Sequence, residues 1–438
     1  IWGGVFIVIF FCSCRPNNSP RLFNQLDAAE TNIHFANNIH NEKDLDILQY
    51  NYFYNGGGVA AADFNNDGFA DLYFTGNQVS SKLYLNKGRG ASEKISFDDV
   101  TEKAGVTTTN WATGVAVADI NNDGLLDMYI SYAGYKDTVR RRHQLFVNQG
   151  LDKDGIPRFE DEAVAYGLAD TNYTTQSAFF DYDRDGDLDM LLINHYQDNS
   201  NPNFPKKRDS SGTAPASVKL YRNDKNVFTE VSVAAGIKTE GYSLGIAISD
   251  INLDGWPDIY ISKDFIFDDA LYINNKKGGF TESIRQLVRH TSQFSMGCDV
   301  ADFNNDSYPD IVTADMFPFD NKRQQLMNIA MNNDRFNYAL SLGYVPQYSR
   351  NMLQLNSGPD ADGNYSFAEI GQLAGLYKTD WSWSPLFADF NNDGWKDLVI
   401  SNGIPKDITN NDFITYRGEL IMALSLIHIS EPTRLRRI

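Results

Sequence analysis

One acidic nine-residue pattern, D-x-[ND]-x-D-[GS]-x-x-D, occurs six times in this 438-residue chain. The copies recur at intervals of about 50 to 90 residues. Self-similarity at such a spacing is typical of a chain built from one repeated supersecondary unit. The six copies begin at Asp63, Asp119, Asp181, Asp250, Asp302 and Asp389.

Each acidic loop lies between two short apolar runs, such as G-V-A-V-A before Asp119 and M-Y-I-S-Y after Asp127. These runs predict a strand on either side of the loop. A second signature follows five of the loops, as in K-L-Y-L-N and F-D-D-V-T-E-K-A-G-V within residues 82–106, and predicts a third and a fourth strand. Four strands per repeat predict an all-β fold, a β-propeller of four-stranded blades.

The pattern predicts five full blades and half of a sixth, so about five and a half blades are present. Residues 21–33 resemble a fourth strand placed ahead of any blade, which predicts ring closure by the N-terminal segment. Residues 320–342 show apolar spacing near that of a helix and predict a helical insertion in the fifth blade.

The acidic loops place oxygen-bearing side chains at positions 1, 3, 5 and 9, with a backbone carbonyl at position 7. Calcium takes roughly six to eight such oxygens, so calcium is the predicted cofactor. Gly68 at position 6 allows the sharp bend, whereas Ser307 makes the fifth loop the weakest candidate. The predicted metal ligands are Asp63, Asn65, Asp67 and Asp71; Asp119, Asn121, Asp123 and Asp127; Asp181, Asp183, Asp185 and Asp189; Asp250, Asn252, Asp254 and Asp258; Asp302, Asn304, Asp306 and Asp310; Asp389, Asn391, Asp393 and Asp397.

Two other interpretations of these loops were weighed. An EF-hand needs a glutamate at position 12, where this chain has residues such as Phe74 and Thr313. A metal-free Asx turn explains a single loop equally well. Six copies that keep all four oxygen positions favour calcium, in a structural role.

The formal net charge of −19 argues against nucleic acid as a partner, because phosphate binding needs clustered Lys and Arg. Three cysteines cannot form a disulfide framework, and Cys298 is predicted to be a buried apolar residue. The histidines form no H-x-x-H pattern.

The two ends of the chain read differently from the repeats. Residues 1–14 suit a signal peptide ending in a lipobox, F-C-S-C, with Cys14 as the acylated residue; an ordinary signal peptide or a short anchor is the alternative. Residues 15–20 are predicted to form a linker and residues 21–423 to form the propeller. Residues 424–438 are predicted to derive from a sequencing adapter. The predicted location is an exported outer-membrane lipoprotein on the periplasmic or cell-surface side, bound to the membrane only through its lipid.

G-Y-S-L-G at residues 241–245 fits the G-x-S-x-G nucleophile elbow. That elbow lies between a strand and a helix, whereas here it leads into the strand I-A-I-S and an acidic loop. Ser243 is therefore predicted to be a blade residue, and no catalytic residue is predicted.

The segment G-V-A-V-A-D-I-N-N-D-G-L-L-D-M-Y-I at 114–130 resembles the FG-GAP/VCBS-repeat β-propellers, the class that includes the integrin α-subunit head. The resemblance covers roughly residues 20–420, although the literal F-G and G-A-P tripeptides are absent. W-S-W-S-P-L-F-A-D-F-N-N-D-G-W-K-D-L at 381–398 is similar to bacterial exported proteins of the cartilage-acidic-protein type, which often have a C-terminal ASPIC/UnbV domain. The resemblance implies seven blades in the full protein, calcium in the hairpin loops, and a role in adhesion or ligand binding.

The predicted function is therefore a calcium-binding module that engages a protein or glycan ligand. The aromatic loop at 194–204 or the helical insertion is the predicted recognition surface. The alternatives are a polysaccharide lyase or hydrolase that uses one propeller face, and a scaffold for an ASPIC/UnbV domain beyond the chain.

Overall fold

The computed structural model describes residues 22–89, 95–197, 201–327, 332–406, 408–416 and 418–419. The predicted signal peptide, Cys14, the predicted linker and the segment predicted to derive from an adapter lie outside these residues.

The described chain is all-β and forms five four-stranded antiparallel sheets followed by a two-stranded one, each a blade or part of a blade. The first two blades contain β1 Val59–Ala62, β2 Asp71–Phe74, β3 Lys82–Arg89, β4 Ile95–Asp99, β5 Ala112–Ala118, β6 Asp127–Tyr132, β7 Gln144–Leu151 and β8 Pro157–Asp161. The next two contain β9 Thr174–Phe180, β10 Asp189–Asn194, β11 Lys219–Asn223, β12 Phe228–Glu230, β13 Ser243–Ser249, β14 Asp258–Lys263, β15 Ala270–Asn274 and β16 Phe280–Glu282. The fifth and sixth blades contain β18 Gly297–Ala301, β19 Asp310–Ala314, β21 Met352–Pro359, β22 Tyr365–Glu369, β23 Ser382–Ala388 and β24 Asp397–Asn402. Outside the blades, β17 Thr291–Ser292 pairs in parallel with β20 Gln347–Tyr348.

The first strands of successive blades contact one another in chain order, so the blades are arranged side by side around a common centre. The backbones approach closely there, and glycine permits the approach: a Cβ on Gly114 of β5 would lie 2.7 Å from the carbonyl oxygen of Thr175. Farther out, apolar side chains of neighbouring sheets form continuous clusters, such as the one that joins Phe64, Tyr73, Met128 and Phe159. The apolar runs flanking the acidic loops therefore fold as strands because each buries a face against the next blade.

Residues 22–33, the described part of the segment 21–33, do not form the fourth strand that the sequence predicts. Residues 22–27 pair with no strand of the described chain, and Ala28–Thr31 form a helical turn, α1, that ends at Asn32 with φ 61°. The same kind of turn follows the fourth strand of the first blade, where α2 (Thr101–Ala104) ends at Gly105 with φ 80°. The predicted strand is therefore wrong for this segment, because residues 22–27 lack, among the described residues, the hydrogen-bonded partner that a strand requires.

The position of this segment still corresponds to the edge of a blade. The α1 turn contacts β4 of the first blade, just as α2 contacts β8 of the second. Phe23 lies edge-on to Phe390 of the sixth acidic loop at 5.3 Å between ring centroids, and Phe159 meets Phe64 of the first loop in the same manner at 6.0 Å. Residues 23–32 therefore contact both the sixth and the first blade. They occupy the place that the outer edge of a blade between these two would take.

The remaining helices are short. They include α3 Ala163–Tyr166, α4 Ile284–Leu287, α5 Asn321–Leu326 and α6 Asn333–Ser341, and residues 411–416 are helical as well. Both α5 and α6 lie within the predicted insertion, residues 320–342, of which 328–331 are outside the described part. A span across a membrane would need a longer and more apolar helix than any found in the described residues.

A further segment, residues 34–57, has no counterpart in the repeats. Tyr50, Tyr52 and Phe53 in it are at most 3% exposed and pack with Trp111 and Tyr242 in one cluster. This segment therefore covers the centre of the blades at the end where the second strand of each blade finishes.

Candidate metal centre

Each acidic loop is a tight turn closed by its own side chains. In the first loop, Asp63 accepts hydrogen bonds from the backbone N–H groups of Asp67 (3.0 Å) and Gly68 (2.7 Å). Two residues, Asn66 at φ 55° and Gly68 at φ 88°, make the bend. The corresponding first aspartate accepts the same two bonds in all six loops. The Asx-turn pattern is thus present, and it uses only part of the accepting capacity of each carboxylate.

The aspartate at position 9 fixes the loop to the rest of its blade. Asp71 is fully buried, and its two oxygens accept the backbone N–H groups of Phe64 (2.9 Å) and Asn86 on β3 (2.8 Å). In the absence of a cation, the pKa of this carboxyl is raised to about 6, mainly by burial and to a smaller extent by the charges of Asp67 and Asp63, against the lowering effect of these two bonds. The same cause raises the pKa of Asp127 and Asp310 to about 6, and of Asp189 and Asp258 to about 7.

The third loop brings three carboxylates together. One carboxylate oxygen from each of Asp181, Asp183 and Asp189 lies within 4.8 Å of the others. Oδ1 of Asp183 is buried and has no hydrogen-bond partner among the described residues. Burial raises the pKa of Asp183, and the neighbouring carboxylates of Asp185 and Asp181 raise it further. A buried, unpaired carboxylate oxygen directed into an anionic cluster fits a cation, because burying anions together without one is costly.

The other loops have asparagine at position 3. In four of them its Nδ2 donates to the carboxylate at position 5 at 2.9 Å; these pairs are Asn65 with Asp67, Asn121 with Asp123, Asn304 with Asp306, and Asn391 with Asp393. In the fourth loop, Lys276 lies 3.2 Å from the carboxylate of Asp254 and supplies a local positive charge. The predicted ligands of each loop therefore lie close together, and the third loop has the highest density of negative charge.

The fifth loop keeps this conformation despite its serine. Ser307 has φ 77°, and its N–H donates to Asp302 at 2.8 Å, as Gly68 does to Asp63. The sequence predicts that a serine at this position resists positive φ. Ser307 nevertheless adopts it, so the loop keeps its conformation and the residue is strained.

Replacing Ser307 by glycine is expected to stabilise the protein by about 0.5 to 1 kcal/mol. A side chain at positive φ costs roughly 1 to 2 kcal/mol, and the larger conformational entropy of glycine in the unfolded chain offsets part of the gain from removing it. Urea unfolding measures the change. The control is Ser211→Gly, at an exposed loop position with ordinary φ, where glycine is expected to have no stabilising effect. Equal effects at both positions would contradict the assigned strain.

The serine of the G-Y-S-L-G segment lies inside a blade. Ser243 begins strand β13 and is fully buried, opposite Lys263. The chain continues as a strand after it, so the strand-to-helix turn of a nucleophile elbow is not formed at this position. Cys298 on β18 is partly buried, and burial raises the pKa of its thiol to about 12.

The predicted recognition segments lie at the other end of the blades from the acidic loops. In the 194–204 loop, His195 is buried and Tyr196 packs on Tyr242, whereas Phe204 is exposed and contacts Tyr338 of α6. Residues 198–200 of this loop are outside the described part. The aromatic residues of this segment are thus divided between packing and exposed surface.

Comparison with known proteins identifies the repeat. Residues 63–130 and 331–400 match the family of FG-GAP-like repeats. Cartilage acidic protein 1 from Xenopus tropicalis is 23% identical over 262 residues, which cover 58% of this chain and 36% of that protein. Cartilage acidic protein 1 from Mus musculus is 29% identical over 137 residues, or 31% of this chain and 20% of that protein. Integrin alpha-7 from Homo sapiens is 31% identical over 117 residues, or 24% of this chain and 10% of that protein. The chain therefore spans about a third of the length of these relatives or less.

Proposed function

We propose that this chain, which carries FG-GAP-like repeats folded as β-propeller blades, is a calcium-stabilised module for ligand binding or adhesion. The observation that supports calcium most directly is the third loop, where three carboxylates converge and Oδ1 of Asp183 is buried without a partner among the described residues. The similarity to integrin alpha-7 and cartilage acidic protein 1 supports a binding role rather than a catalytic one.

The donor set of the loops favours calcium over transition metals. Positions 1, 3, 5 and 9 supply only carboxylate and amide oxygens, which are ligands of hard cations, and no loop offers a histidine or cysteine at these positions. The flexible four-to-five oxygen set with room for water suits calcium better than the strict octahedron of magnesium. Bound calcium would neutralise the charge of each loop, and the position 9 aspartate would transmit that stabilisation to the third strand.

Calcium in these loops is proposed to stabilise the blades rather than to contact the ligand. The second strand of each blade runs from the position 9 aspartate to the opposite end; in the fourth blade it is β14, from Asp258 to Lys263. Six residues of strand span about 20 Å. The long connecting loops and residues 34–57 therefore lie far from the metal loops.

Equilibrium dialysis against radioactive calcium tests the metal assignment. The expected stoichiometry is close to six calcium ions per chain, with dissociation constants on the order of 10⁻⁴ to 10⁻³ M. Magnesium at the same concentration is the competitor and is expected to displace little. Binding of fewer than one calcium ion per chain would overturn the assignment.

Replacing Asp183 by asparagine is expected to have opposite effects with and without calcium. In chelator the variant relieves repulsion within the third loop and is expected to be as stable as the original chain or slightly more stable. In calcium it loses one anionic ligand and is expected to gain less stability from the ion. Asn65→Asp in the first loop is the matched control, because it adds the anion that Asp183→Asn removes. The same loss of stability in both conditions would contradict a metal role for Asp183.

The location is proposed to be extracytoplasmic, with a lipid on Cys14 as the membrane anchor. The support is the lipobox-like F-C-S-C sequence. Metabolic labelling of the full gene product with radioactive palmitate is expected to mark the original protein and not the Cys14→Ser variant. Label in both proteins, or in neither, would contradict a lipid on Cys14.

The ligand is proposed to be a protein or a glycan. Arrays of glycans and of extracellular proteins, probed with the full gene product in calcium and in chelator, are expected to give a signal that requires calcium. Release of unsaturated or shortened sugars from a bound polysaccharide would instead favour the lyase or hydrolase alternative.

A further inference from the structure

A cavity of about 240 Å³ lies on the end of the blades opposite the acidic loops. Its walls come from residues 47–55, from the fourth and fifth blades, and from the sixth blade and the residues after it. Most of the lining is apolar and includes Phe265, Phe294, Met296, Met316 and Trp383. Cavities that take drug-sized ligands are about 300 to 1,000 Å³, so this one suits a smaller molecule.

A carboxylate is buried in the wall of this cavity. Asp264 is 3% exposed; its Oδ2 accepts the hydroxyl of Tyr52 at 3.2 Å, and its Oδ1 accepts its neighbour's N–H, that of Phe265, at 2.8 Å. No lysine, arginine or histidine of the described residues forms an ion pair with it. The pKa of Asp264 is raised to about 7, mainly by burial and to a smaller extent by the carboxylate of Asp315, against the lowering effect of these two hydrogen bonds. A buried carboxyl of this kind is stabilised by a cation that arrives with a ligand.

An unpaired hydrogen-bond donor lies in the same wall. Trp381 is 5% exposed, and its indole Nε1 has no acceptor among the described residues. The neighbouring Trp383 differs, because its Nε1 donates to the carbonyl of Gly403 at 2.6 Å. Buried indole N–H groups are nearly always hydrogen-bonded. A ligand in the cavity can therefore supply the acceptor that the described residues do not give to Nε1 of Trp381.

We propose that this cavity binds a small organic ammonium compound, with its cationic group at Asp264, its apolar body against the aromatic and methionine side chains, and a hydrogen-bond acceptor at Nε1 of Trp381. Aromatic faces attract ammonium groups by cation–π interaction, and the carboxylate adds a charge-assisted hydrogen bond. This site goes beyond the proposed function, because it assigns a separate small-molecule ligand to the end of the blades opposite the acidic loops.

Two probes that differ in one group test the assignment. Tyramine and tyrosol share a phenol ring, and the ammonium of tyramine replaces the terminal hydroxyl of tyrosol. Calorimetric titration at pH 8 is expected to show tyramine binding about 10- to 100-fold more tightly than tyrosol. Equal affinity, or no binding of tyramine at millimolar concentration, would overturn the proposal.

Two variants locate the binding. Asp264→Asn is expected to remove the preference for tyramine, and Trp381→Phe is expected to weaken both probes by about 3- to 10-fold. Asp269→Asn is the control for substitution of a buried carboxyl, because Asp269 accepts hydrogen bonds from Tyr260 and Ser295 and does not line the cavity. A tyramine preference that persists in Asp264→Asn would overturn the proposal.

Failure of this site and failure of the proposed function give different results. If tyramine does not bind while the arrays still show a calcium-dependent ligand, the pocket assignment falls and the binding module stands. If the arrays show no ligand and calcium does not bind, the proposed function falls, whatever the result with tyramine.

Discussion

Replacing Asp189 by alanine is expected to destabilise the protein by about 3 kcal/mol even without calcium. Asp189 is fully buried, and its oxygens accept the N–H groups of Tyr182 (3.0 Å) and Asn223 (2.8 Å). Each buried donor left without an acceptor costs roughly 1 to 3 kcal/mol, and relief of the buried charge offsets part of this. Urea unfolding in chelator, followed by circular dichroism, measures the loss.

The comparison with Asp183 separates structural from metal roles in the same loop. Asp183→Asn is expected to leave stability in chelator nearly unchanged, because no hydrogen bond of the described residues depends on Oδ1 of Asp183. If Asp189→Ala costs less than about 1 kcal/mol in chelator, the two N–H groups find other acceptors and the anchoring role assigned to position 9 is wrong.

Replacing Asp170 by asparagine is expected to cost about 2 to 4 kcal/mol at pH 7, because breaking a buried ion pair leaves its partner poorly compensated. Asp170 lies in the connection between the second and third blades. Its side chain accepts hydrogen bonds from Lys219 (2.6 Å), Tyr221 (2.7 Å) and the N–H of Asn172 (2.6 Å). These partners belong to the connection and to β11, so the pair ties the connection to the third blade.

The cost of Asp170→Asn is expected to depend on pH. Burial favours the neutral carboxyl, but the positive charges of His143 and Lys219 and the hydrogen bonds outweigh it and lower the pKa of Asp170 to about 2. A folded-state pKa below the unfolded value gives stability that is present above about pH 4 and is lost as the pH falls towards 2. The difference between the original chain and the variant is therefore expected to shrink by about 2 kcal/mol between pH 6 and pH 2.

An exposed ion pair provides the control for this substitution. Asp224 contacts Arg222 at 2.8 Å, with both side chains more than 40% exposed. Asp224→Asn is expected to change stability by less than about 1 kcal/mol at every pH. A pH-independent loss in Asp170→Asn would show that its packing matters rather than its charge.

The blades could be predicted from sequence because every element of a blade has a local signature. The alternating runs around each acidic loop, such as those before Asp119 and after Asp127, appear as strands β5 and β6. The predicted third and fourth strands follow in the same order in five sheets. The repeats made these signatures recognisable, because a strand signature that is weak in one copy can be identified from its position in the other copies.

The cavity could not be predicted, since its residues come from distant parts of the chain without a repeat. Tyr52, Asp264 and Trp381 belong to the N-terminal segment, the fourth blade and the entry to the sixth. No spacing rule connects them. A cue did exist in the W-S-W segment, where Trp381 precedes strand β23 and Trp383 lies within it, but sequence alone does not show that one indole is hydrogen-bonded and the other is not.

The predicted strand at residues 21–33 failed for a different physical reason. The fourth-strand signature, as in F-D-D-V-T-E-K-A-G-V, contains both the strand and the helical turn after it. In the N-terminal copy the turn forms from local interactions, including the hydrogen bond that the N–H of Ala29 donates to Oδ1 of Asp27 at 2.8 Å. A strand depends on hydrogen bonds to a neighbour, which no described segment provides to residues 22–27.

Thermal unfolding in calcium and in chelator tests the central claim most directly. Calcium at 10 mM is expected to add about 1.4 to 2.7 kcal/mol for each occupied loop, given dissociation constants of roughly 10⁻⁴ to 10⁻³ M. With several loops occupied, the Tm is expected to rise by about 10 °C or more relative to chelator, whereas magnesium is expected to give a much smaller rise. An unchanged Tm in calcium would contradict the account of these acidic loops as calcium sites that stabilise the propeller.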